Sequence, residues 1–94
     1  MTLELDLQDI TGGQLRSARA SLGWSSEALA EKAGVSQRTI MRAEQTDGVI
    51  HARRATIIVL KQTLEAAGIE FIGTPDDGPG IRLRRPRSLG PSSS

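Results

Sequence analysis

Apolar positions recur along the chain at two spacings, and the change of period divides it into parts. Before Ile10, Leu3, Leu5 and Leu7 alternate with polar residues, the period of a short strand or a loosely packed arm. At Ile10 the pattern turns helical. Thr11 is placed as an N-cap, Gln14 three residues on completes a capping box, and Ile10 and Leu15 stand at the two positions of a hydrophobic staple. The spacing predicts a first helix to about Leu22, with Leu15, Ala18 and Leu22 on one face and Gly23 as its stop. Ser25 caps a second helix over 26–33, whose apolar face is Leu29, Ala30 and Ala33. Gly34 suits the left-handed turn that ends it. Val35 fills the turn, and Ser36 caps a third helix over 37–44 with Ile40 and Ala43 inward.

Residues 45–52 read as a loop, marked by Thr46-Asp47-Gly48. A fourth helix is predicted from about 52 to 67, stopped by Gly68, with Ile57, Leu60, Leu64 and Ala67 on one face. Ile58 and Val59 widen that face beyond one core stripe. Two extended runs follow, 69–72 and 81–84, separated by a segment dense in turn residues, so a small β-hairpin with a long loop is expected. The resulting division is an N-terminal arm over 1–10, a helical domain over 11–68, a hairpin over 69–84 and a disordered basic tail over 85–94. The expected class is all-α, four helices with a small C-terminal β-hairpin.

Composition narrows this further. A chain of 94 residues supports one small domain, and one Phe, one Trp and no Tyr are too few aromatics for a sandwich or barrel core. With no cysteine and a single histidine, His51, disulfides, thiolate chemistry and an ordinary zinc site are not expected. No apolar run approaches the ~20 residues of a membrane span, and the N-terminus lacks a basic leader region, so a cytoplasmic protein with no membrane partner is expected. Net charge is only +1, but it is unevenly spread. Residues 1–13 carry three acids and no base, 14–54 carry seven bases against four acids, and 82–87 hold four arginines. An anionic partner is compatible with that distribution.

The two short helices around Gly34 meet the steric demands of a steeply crossing pair. Counting Ser26 as first, the small Ala30 is fifth, Gly34 ninth, the branched anchor Ile40 fifteenth and Ala43 eighteenth. With these and the run Leu22-Gly23-Trp24-Ser25-Ser26-Glu27-Ala28-Leu29-Ala30-Glu31-Lys32-Ala33-Gly34-Val35-Ser36-Gln37-Arg38-Thr39-Ile40, residues 12–67 resemble the Cro/phage-repressor type (xenobiotic response element family) of helix-turn-helix DNA-binding domains. The resemblance implies a double-stranded DNA partner and a third helix that enters the major groove. It implies base contacts from Gln37, Arg38 and Arg42, residue types that pair with adenine and guanine edges. Met41 and Gln45 share the outward face. Phosphate contacts are expected at Ser25 and Ser26 at a helix N-terminus, and at Gln14, Thr39, Arg53 and Arg54. An ion pair between Arg19 and Glu44, residues that match a pair common in the family, would lock the first and third helices together. One departure stands out: the family usually has Gln at the place of Ser26, touching phosphate and bracing the recognition helix, and a serine reaches less far.

Other residues read more plainly. Trp24 covers the core edge at the corner of the first two helices, His51 is a loop or cap residue, and Glu27 and Glu31 form a solvated helix face. Arg82, Arg84, Arg85 and Arg87 solubilise an edge strand or form a basic arm on DNA. No catalytic constellation or nucleotide loop is present, so neither an enzyme nor a cofactor is expected, and no small-molecule ligand is expected either. The leading expectation is a bacterial or phage transcriptional regulator acting as a homodimer. Its alternatives are an antitoxin that binds its operator and a toxin protein, and a protein-interaction module that kept the fold without DNA.

Overall fold

The computed structural model describes residues 9–84. The order of elements is α1 (Gly12–Leu22), α2 (Ser26–Ala33), α3 (Gln37–Glu44), α4 (Arg54–Ala66), β1 (Ile69–Thr74) and β2 (Asp77–Leu83). The expected arm, apart from Asp9 and Ile10, and the expected tail with Arg85 and Arg87 lie outside the described residues.

The first three helices begin on side-chain caps, as their sequences predict. Thr11 Oγ1 accepts from Gln14 N at 3.0 Å while Gln14 Oε1 accepts from Thr11 N at 2.9 Å, which closes the capping box. Ser25 and Ser36 cap α2 and α3 in the same sense. Gly34 ends α2 at φ 74°, the left-handed conformation that lets α3 turn away after two further residues. The fourth helix starts later than expected. Residues 52 and 53 are extended or bent, and Arg53 is an N-cap without a side-chain bond, so α4 begins at Arg54 and ends at Ala66.

The hairpin differs more. The pairing runs from Ile69 opposite Leu83 to Thr74 opposite Asp77, so the long loop contracts to a two-residue turn, Pro75-Asp76. The reason is a bulge between Ile72 and Thr74. Gly73, at φ 74°, sits so close to the opposite strand that a Cβ would lie 2.0 Å from the Gly78 carbonyl oxygen. Glycine alone lets the strands close there. Pro79 is accommodated because both strands of a two-stranded sheet are edges.

Ile10, Leu15, Leu29, Ile40, Leu60 and Leu64 are fully buried at the centre. Strand β2 packs on α1 and β1 on α4. The inner face of the hairpin therefore closes the core, with Ile69 buried and Phe71, Ile81 and Leu83 packed against it. The stretch before α4 is also structured. Val49 bridges to Thr11, Ile50 N donates to Ile10 O at 3.2 Å, and Ile50 is buried. Among the described residues, no helix is long and apolar enough to cross a membrane.

Candidate nucleic-acid interface

The periodicity of α3 separates two faces. Ile40 and Ala43 point into the core, and Gln37, Arg38, Met41, Arg42 and Gln45 are exposed on the other side. No acidic residue lies among these five. The one acid of the helix, Glu44, is buried and turned toward α1.

Glu44 is held by a bidentate pair with Arg19, Nε to Oε2 at 2.8 Å and Nη2 to Oε1 at 2.9 Å. Arg19 also donates from Nη1 to the Trp24 carbonyl at 2.9 Å, which ties the α1–α2 corner to α3. The hydrogen bond to Glu44 raises the Arg19 pKa above its ordinary value, against the opposing effect of partial burial. A second arginine, Arg16, donates to the Glu44 carbonyl and, at 2.9 Å, to Asp47 Oδ1. Cations placed on the last carbonyls of α3 also complement its dipole. The role of Arg16 was not read from the sequence. Its spacing of three from Arg19 on one helix face was the available signal.

At the other end of α3, Gln37 donates from Nε2 to Ser26 Oγ at 3.0 Å. The short serine does not reach the recognition helix, but the glutamine of that helix reaches the serine. Ser25 Oγ accepts from Ala28 N at 3.0 Å, a bond that uses the oxygen as acceptor and leaves its O–H as a donor at the α2 N-terminus. Thr39 is half-buried, with its hydroxyl 2.8 Å from that of Ser36. Thr39, Arg42, Gln45, His51, Arg53 and Thr56 line a groove between α3 and the start of α4. Arg53 and Arg54 are exposed at that helix start.

Gln14 does not belong with them. It is 4% exposed, its Oε1 completes the cap, and its Nε2 donates to the Ile72 and Gly80 carbonyls at 3.2 and 2.9 Å. A side chain that binds the hairpin to α1 with every polar atom engaged has nothing left for a phosphate. This corrects the expected phosphate role of Gln14.

The remaining candidates sit apart from α3. Trp24 is half-buried against the core, with the Lys32 ammonium 4.9 Å from its ring centroid. Arg82 and Arg84 both reach Glu70 Oε1, at 3.4 and 2.9 Å, on the outer face of the hairpin. Lys61, on α4, is buried with its ammonium 5.9 Å from the Phe71 ring centroid, a placement that the sequence pattern did not reveal. Among the described residues no cluster of His, Asp or Glu could hold a metal ion.

The family model described as helix-turn-helix matches residues 15–45, the span from the first buried leucine of α1 to the end of α3. A search of curated protein sequences finds no match. The capped helices, the left-handed Gly34 and the matched span converge: over residues 15–45 the chain forms the helix-turn-helix unit that the family model describes.

Proposed function

We propose that the protein is a sequence-specific transcription regulator that reads the DNA major groove with α3. In this reading Gln37, Arg38 and Arg42 address base edges, while Ser25, Ser26, Thr39, Arg53 and Arg54 address phosphates. The single observation that carries it is the exposed, acid-free face of α3, two arginines and two glutamines around Met41, on a helix braced at both ends. A helix held this firmly loses little freedom when it docks. A polar face of this kind suits base edges better than the apolar centre of a protein interface.

A second copy of the chain completes the reading. One recognition helix covers only a few base pairs, and two on a two-fold axis read two half-sites. Selection of bound sequences from a random DNA pool tests the proposal. A defined, two-fold-related motif is the expected result, and recovery of no sequence preference overturns it.

A further inference from the structure

Met41 is the one large hydrophobic side chain exposed among the described residues, 52% of it open to solvent. Every large apolar side chain elsewhere in that region is buried or half-buried. Its position on α3 is specific. At 3.6 residues per turn, Gln37, Met41 and Gln45 succeed one another at steps of about 40° around the helix, with Arg38 and Arg42 beyond them. Met41 therefore lies inside the polar arc rather than at its margin. Met41 is not among the side chains of the core or those packed against it, so the core does not account for its apolar character. On a helix whose other outward side chains all carry hydrogen-bonding groups, it is the one side chain suited to an apolar target.

The major groove offers one apolar feature at a base edge, the C5-methyl of thymine. A thioether on an unbranched, rotatable chain is adaptable and polarisable, and can settle against such a methyl without exact placement of its own backbone. We propose that Met41 is a specificity-determining residue that selects thymine at one position of the bound site by contact with its C5-methyl. This rests on the reading that α3 enters the major groove. It adds a base-selective contact to those of Gln37, Arg38 and Arg42.

The test uses duplexes carrying the site recovered by random-pool selection. Each thymine is replaced singly by deoxyuridine, which removes the methyl and leaves pairing and hydrogen-bonding groups intact. Affinities of the wild-type chain and of Met41→Ala are measured on each duplex at one salt concentration. At one thymine position, wild type is expected to lose about fourfold on the uracil duplex, the effect of one methyl-sized group returned to water. Met41→Ala is expected to bind the thymine and uracil duplexes there equally, and Met41→Leu to retain the preference.

Wild type indifferent to uracil at every position overturns the inference, and so does a Met41→Ala chain that keeps the full methyl preference. Both results leave sequence-specific binding intact, so they do not touch the broader proposal. Binding with no sequence preference at all overturns that proposal and this inference together.

Discussion

Gln37 and Ser26 are joined across the turn between α2 and α3 by a hydrogen bond from Nε2 to Oγ of 3.0 Å. A serine hydroxyl that donates its proton to a DNA phosphate can only accept from its other neighbour. In the proposed complex the Gln37 amide would then be held with Nε2 toward Ser26, leaving Oε1 and the second N–H for a base edge. That pair of groups complements the N6 and N7 edge of adenine. Ser26→Ala is therefore expected to broaden base preference at the position proposed for Gln37, by about 0.5–1.5 kcal/mol of discrimination. The melting temperature should barely change, because the bond is exposed. Titration of the variant against four duplexes differing at that base checks this, and unchanged discrimination would refute the relay.

The caps of α1, α2 and α3 were legible because each depends on a few adjacent residues. Thr11 with Gln14, Ser25 and Ser36 each cap the helix that the local spacing predicted. The outward face of α3 follows from the same local periodicity once Ile40 and Ala43 are assigned inward. What stayed hidden depends on contacts remote in sequence. The tight hairpin requires Gly73 and Gly78 to meet across the turn, and a run of turn residues read alone looks like a loop. Gln14 was legible as a cap, but its bonds to Ile72 and Gly80 span roughly sixty residues and carry no local mark. The Gln37–Ser26 bond was equally unreadable, since the short serine gives no local sign that a side chain of the next helix reaches back to it.

Arg19 and Glu44 offer a stability test. Their side chains are 24% and 9% exposed, so removing Arg19 strands a nearly buried carboxylate. Arg19→Met is expected to cost about 2–3 kcal/mol, somewhat below the ~3–5 kcal/mol of a fully buried pair. The shift in the urea midpoint measures it, and a loss within ~0.5 kcal/mol would contradict the locking role. The pH dependence has a definite sign. The pKa of Arg19 is raised in the folded state, so its contribution is complete below the unfolded value and fades only as pH rises through the folded one. Both values are strongly alkaline, and Arg19 should give no slope of stability with pH in the neutral range.

Gly12 is fixed by close approach rather than by backbone conformation. A Cβ there would lie 2.0 Å from the Thr46 carbonyl oxygen and 2.7 Å from that of Ala43. Both are backbone atoms, and Gly12 N itself donates to the Gly48 carbonyl at 3.0 Å, so neither side can withdraw cheaply. Gly12→Ala should destabilise by at least the ~1–3 kcal/mol of an overpacked core. Gly13→Ala, with no atom nearer than 3.7 Å to its Cβ, is the control and should be nearly neutral. Equal melting temperatures for the two variants would contradict the close approach of α1 to the end of α3.

Arg53 and Gln14 separate a phosphate contact from a structural one. Arg53 is exposed at the start of α4 and lines the groove beside Arg42. If it meets a phosphate, Arg53→Ala should weaken binding about equally on all sequences. The slope of log affinity against log salt should fall by ~0.9, the effect of one counterion no longer released. Arg42→Ala should instead lose ~1–3 kcal/mol at one base position. Gln14→Ala breaks the capping box and removes two hydrogen bonds from α1 to hairpin carbonyls, so it should cost ~2–3 kcal/mol of folding stability. The affinity of its folded fraction for DNA should be unchanged. Denaturant titrations and salt-dependent binding on the three variants give both readouts. A Gln14→Ala chain of normal stability and weakened binding would return that residue to the interface.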